Sequence, residues 1–113
     1  MVLALALAAL LAEPINVNAS ELWDAFYNDP VKAQEKYLDK ELLITGIVKS
    51  KNPEKGFLTF RSAGFGIHVE MKDKGDLKNF AEGKRYTVRC KCIANPKDKI
   101  MGVDFAGAVK EPD

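Results

Sequence analysis

The chain has 113 residues, 47% of them hydrophobic and 29% charged, a balance that fits one compact domain and excludes a disordered or collagen-like chain. At this length folding buries roughly 65% of the unfolded surface, enough for a core without disulfide or metal staples. A net charge of +1 excludes a strongly basic protein, and one His with two Cys excludes a zinc site of four Cys and His ligands.

The charge is unevenly placed. Residues 1–40 carry 3 basic and 6 acidic side chains, whereas residues 41–113 carry 14 and 10. Such asymmetry fits a polyanion-binding body, or a surface that is merely solvated; affinity requires clustering, not a count.

The chain opens on MVLALALAALLA, an apolar run over residues 1–12 that is followed at once by Glu13-Pro14. As a helix it would cover about 18 Å, too short for the roughly 30 Å of hydrocarbon in a bilayer. Its length matches the apolar region of a secretory signal, with Ala12 at the cleavage position. No Lys or Arg precedes it, and Leu10 is bulky at the third position before the cut. Glu13 stands where a lipoprotein would carry Cys, so a lipid anchor is not expected. The expectation is an exported, periplasmic protein, with residues 13–113 forming the domain. If residues 1–12 are no signal, the protein is cytoplasmic, and they pack on the domain, a membrane or a partner.

Asn18 and Glu21 form a capping box that starts a helix, and Leu22, Trp23, Phe26 and Tyr27 make its apolar stripe. Asn28-Asp29-Pro30 interrupts it. Asp29 suits an N-cap and Pro30 the first turn of a second helix, which carries Val31, Ala33, Tyr37 and Leu38 and ends near Asp39. From Glu41 the period changes: ELLITGIVKS, residues 41–50, reads as a strand bent at Gly46. After a turn at residues 52–56, FLTFR (57–61) points Leu58 and Phe60 inward, and Phe57, Thr59 and Arg61 outward. FGIHVEM (65–71) points Ile67, Val69 and Met71 inward, and His68 and Glu70 outward. A short helical stretch from Asp76 to Glu82 is closed by Gly83. KRYTVRCKCI (84–93) alternates again, with Tyr86, Val88, Cys90 and Cys92 inward. A turn at residues 95–98 leads to the last strand, residues 99–109.

Five strands with a helix between the third and fourth, behind a helical leader over about residues 18–39, is the plan of an OB-fold barrel. The class is mainly β with an α leader. The run from Tyr37 to Val48 (YLDKELLITGIV), the junction from Glu82 to Cys90 (EGKRYTVRC) and the Asn-Asp-Pro break resemble the tRNA_anti-like family. That resemblance covers about Asn18 to Val109. It implies an OB fold akin to anticodon-binding barrels, in small bacterial proteins that are often exported or lipid-anchored.

No nucleophile elbow, phosphate loop, HExxH or paired-carboxylate motif is present, so the chain is expected to be no enzyme and to hold no cofactor. Cys90 and Cys92 read as small core residues, with a strained redox pair or thiol ligands as alternatives. Binding is the stronger expectation. OB barrels bind through strands two and three with the loops joining strands one to two and four to five. Here the first loop brings Lys51 and Lys55, and the second Lys97 and Lys99. Lys49, Phe57, Thr59, Arg61 and His68 occupy the face between them, and Arg85, Arg89 and Lys91 extend it along strand four. Cations for phosphates beside an aromatic ring for stacking suit single-stranded nucleic acid or another polyanion. The alternative is an envelope protein or glycan held by the same face.

Overall fold

The computed structural model describes residues 13–64, 66–93 and 103–112. The signal-like run 1–12 and the turn at 95–98 lie outside them. Nine elements follow in chain order: β1 (Ile15–Asn18), α1 (Ala19–Asn28), α2 (Pro30–Tyr37), β2 (Glu41–Asn52), β3 (Phe57–Phe60), β4 (Ile67–Met71), the 3-10 helix η1 (Lys74–Asn79), β5 (Arg85–Cys92) and β6 (Val103–Lys110). The sheet runs β1-β2-β3-β4-β6-β5, and β5 returns to β2. The five strands β2 to β6 thus close into the expected barrel, with β4 and β6 parallel.

β2 makes closure possible. Its first half, Glu41–Ile47, pairs antiparallel with β5, and its second half, Val48–Asn52, pairs with β3 across a bulge between Val48 and Ser50. Gly46 sits just before this switch. A Cβ there would come within 3.0 Å of the Ala19 methyl and of the Phe60 ring, so its lack of a side chain lets α1 and β3 close on the strand. The barrel interior follows the alternation read from sequence: Leu42, Ile44, Val48, Leu58, Phe60, Ile67, Val69 and Val88 are fully enclosed. Each such side chain stabilises the fold by about 1.5–3 kcal/mol relative to exposure.

Both barrel ends are stoppered. At one, Phe26 of α1 stacks on Tyr37 of α2 and meets Phe105 of β6 edge-on at 6.3 Å. Trp23 lies over Gly64, whose φ of +75° favours glycine and whose missing Cβ would stand 2.4 Å from the indole. At the other, Leu77 and Phe80 are buried, and Phe80 meets Tyr86 edge-on. The helix signals hold in detail. The Asn18 side chain accepts from Glu21 N at 2.8 Å, and Asp29 accepts from Lys32 N at 3.1 Å with Pro30 in the first turn.

Four local readings change. Residues 15–18 form an added edge strand, parallel to β2, where only a helix start was expected. Its INVN sequence has two apolar residues, too few to announce a strand. The stretch after β4 is a 3-10 helix over Lys74–Asn79 rather than a helix from Asp76 to Glu82; Asp73 caps it through Gly75 N. Tyr27 and Val31 are exposed rather than packed, Tyr27 lying against Trp23 with the rings stacked 5.7 Å apart. The second helix ends at Tyr37 rather than near Asp39, which turns the chain at φ +61°.

Candidate functional site

The outer face of the β2–β3–β4 hairpins carries a groove of about 540 Å³, lined among others by Ser50, Asn52, Glu54, Phe57, Thr59 and His68. Alternation along the strands builds it. Leu58 and Val69 point into the barrel, so their neighbours Phe57, Thr59 and His68 lie on the opposite face, where Phe57 and His68 are half-buried and Thr59, expected to be exposed, is buried. Thr59 and His68 are register partners, and the threonine Oγ1 lies 2.9 Å from His68 Nδ1, which fixes the imidazole against the sheet. Phe57 is half-buried at the groove edge, opposite Glu70.

The turn above the groove is held in shape. Asn52 accepts from Lys55 N at 3.1 Å through its side chain and from Gly56 N at 2.8 Å through its carbonyl. Lys74 Nζ reaches from η1 to donate to the Glu54 carbonyl at 3.1 Å. A loop tied at three points presents Lys55 and Glu54 with little ordering left to do.

The cations named from sequence fall into three groups. Lys49, Lys55 and Arg61 are exposed on or beside this face. Lys51, one residue out of phase with Ser50, turns towards η1 and donates to the carbonyls of Leu77 (3.2 Å) and Phe80 (2.8 Å). Its ammonium closes the end of the 3-10 helix while its side chain also lines the groove. Arg89 lies on another part of the barrel, beside Leu43 and Val109. Its guanidinium contacts Glu41 at 2.6 Å and Glu111 at 3.2 Å. Hydrogen bonding to Glu111, then to Glu41, raises its pKa further. That charge is neutralised. Lys97 and Lys99 lie outside the described residues; the chain is described again from Val103, the register partner of His68.

Antiparallel pairing of strands one and four places Glu41 near Arg89, a contact readable from the OB plan once the register is set. Arg85 gains more from the structure. It shares a second, smaller cleft of about 260 Å³ with Arg61, beside the start of α1. The two cysteines are inner-face residues, and burial, followed by the neighbouring Cys92, pushes the Cys90 thiol up to about 12. A protonated, enclosed thiol is a packing group. Among the described residues, no group of three or more His, Cys, Asp or Glu is placed to hold a metal ion.

A closed five-stranded barrel with this strand order, plugged between β4 and β5, defines an OB-fold protein. The tRNA_anti-like family matches residues 5–101, and the chain belongs to it. The barrel is similar to the crystal structure of a lipoprotein from Klebsiella pneumoniae subsp. pneumoniae MGH 78578 for which nucleic-acid binding is proposed. The two chains are 15% identical, with a TM-score of 0.61 over 85% of this chain and 92% of that one. No curated protein matches the sequence.

Proposed function

We propose that the protein is a non-catalytic OB-fold module that binds single-stranded nucleic acid or a similar polyanion across the outer face of β2, β3 and β4. The observation that carries the reading is the groove of Phe57, Thr59 and His68 beneath a pre-shaped turn, on the surface where OB barrels take extended ligands. Half-buried Phe57 and the Thr59-anchored His68 suit base stacking, and exposed Lys49, Lys55 and Arg61 suit phosphates. The nucleic-acid role proposed for the Klebsiella lipoprotein supports the same choice. One imidazole tied to Thr59 and a thiol kept protonated support binding rather than catalysis. The lipoprotein neighbour and the apolar run 1–12 support export from the cytoplasm.

A second reading has one feature in its favour. Glu54 lines the groove and Glu70 stands beside Phe57, and both would repel phosphates while suiting a peptide or glycan. Salt separates the two. Anisotropy of a labelled oligothymidylate against the full chain is expected to give binding that weakens steeply between about 50 and 200 mM salt. Phe57→Ala is expected to weaken it about tenfold at either salt, given the ~1–3 kcal/mol of a stacked base. No binding at the lower salt would remove the nucleic-acid reading and leave the peptide or glycan.

A further inference from the structure

We infer that Arg61 and Arg85 form a phosphate-binding cleft at the foot of α1, which extends the track of the stacking groove along β3. The placement follows from the sheet. Arg61 N donates to the Ile47 carbonyl at 2.8 Å, and Arg85 is the register partner of Ile47 on its other side. Two cations therefore flank one residue of β2, with backbones about 10 Å apart at the usual strand spacing. Both line the same 260 Å³ cleft, with Asn18, Ser20, Thr45 and Ile47 around them.

Two observations make this a binding surface rather than a solvated pair of side chains. Neither arginine has an ion pair or a side-chain hydrogen bond among the described residues, whereas Arg89 on the same barrel has two carboxylates. Like charges are thus gathered in a concavity whose described lining residues include no carboxylate. The Glu21 carboxylate stands next to it, on the Asn18 amide, and pairs with neither arginine, so an anion would supply the counter-charge. The cleft is also firmly built. The Thr45 and Thr87 hydroxyls bond each other at 2.7 Å, and the Asn18 side chain is held by Glu21 N. The α1 terminus is therefore already capped, and the guanidinium groups carry the recognition, planar forks suited to bidentate phosphate.

The position ties the cleft to the groove. Phe57, Thr59 and Arg61, the last just past the end of β3, alternate along the chain, so the backbones of Phe57 and Arg61 are about 13 Å apart. OB-folds hold roughly 4–16 nucleotides, and this distance falls within such a span. A base on Phe57 and His68 would leave a phosphate further along the same strand at Arg61 and Arg85. β1 and the start of α1, which lie outside the five-stranded plan, supply the far wall. This assignment of the ligand as a nucleic-acid strand rests on the function proposed above; the anion site itself does not.

Two probes keep those claims apart. Inorganic tripolyphosphate is titrated into the full-length, isotope-labelled chain and into R85Q, an exposed substitution whose fold is checked by an unchanged amide spectrum elsewhere. Shifts of the Arg61 and Arg85 side-chain N–H and of the Ile47 amide are the expected result, with the Arg61 and Ile47 shifts lost in R85Q. They stand even if an oligothymidylate does not bind, in which case only the strand identity falls. Absence of those shifts at millimolar tripolyphosphate overturns the cleft, whatever the oligonucleotide does. If the oligonucleotide does bind, R85Q is expected to weaken it about fivefold at 50 mM salt, one phosphate contact's share of counterion release. Unchanged affinity would take the cleft out of the track.

Discussion

Arg89 and the pair Arg61–Arg85 are the same side chain in two environments on one barrel. Arg89 is clamped by Glu41, which opens β2, and Glu111, just beyond β6, so it ties together three chain segments that meet at the barrel seam. Arg61 and Arg85 stand in a cleft with no carboxylate among its described lining residues. The first serves the fold, and the second is available to a ligand. Position in the barrel register decides between them.

The largest expected effect breaks the scaffold on which the comparison stands. Gly64→Ala places a methyl group inside the Trp23 indole at a left-handed φ. It should destabilise the protein by about 3 kcal/mol, combining roughly 1–2 for the backbone with overpacking. Denaturant melts measure this directly. As α1 forms the wall of the Arg61–Arg85 cleft but not of the Phe57 groove, any residual binding loss should concentrate in the salt-dependent part.

Next comes pH, which probes the inner face. Burial holds the Cys90 thiol at about 12, above the roughly 8.5 of an unfolded cysteine. The native state therefore keeps its proton where the unfolded chain loses it. Stability is fully retained below about pH 8.5 and falls between there and pH 12. Urea midpoints at neutral and alkaline pH should diverge, and Cys90→Ala should reduce the difference. A flat profile would mean the thiol is accessible and not a packing group.

Smaller effects sharpen the contrast itself. Arg89→Gln should leave oligonucleotide affinity unchanged while lowering the melting temperature slightly, an effect that shrinks in high salt because the pair is exposed. Lost affinity with an unchanged melting temperature would reverse the roles assigned to the two kinds of arginine.

Much of this was legible in the chain. The strand alternation from Leu58 to Cys92 placed most inner residues, Leu58, Phe60, Ile67, Val69, Val88 and Cys92 among them, because a period of two with one buried face leaves little freedom of register. Thr59, read as outward, is instead buried beside His68, and Tyr86, read as inward, is only half-buried. Asn18, Asp29 and Pro30 announced both helices through capping chemistry that depends only on neighbours. What escaped depends on partners far along the chain. The edge strand β1 exists because β2 offers it a free edge, and its four residues carry no such signal alone. That Lys51, a lining residue of the groove, also bonds the Leu77 and Phe80 carbonyls depends on the register after the bulge between Val48 and Ser50. Arg85 and Arg61 are 24 positions apart, and only Ile47 between them makes them neighbours.

The central claim is that the unpaired cations Arg61 and Arg85, on either side of Ile47 in β2, and not the basic total, hold a polyanion. The most direct measurement is the slope of log affinity against log salt for an oligothymidylate, taken on the full chain, on R61Q/R85Q and on R89Q. Each phosphate contact on a single strand contributes about 0.7 to that slope, so the double variant should flatten it by about 1.4 while R89Q matches the wild type. Equal slopes in all three proteins, or a flatter slope only in R89Q, would contradict the account.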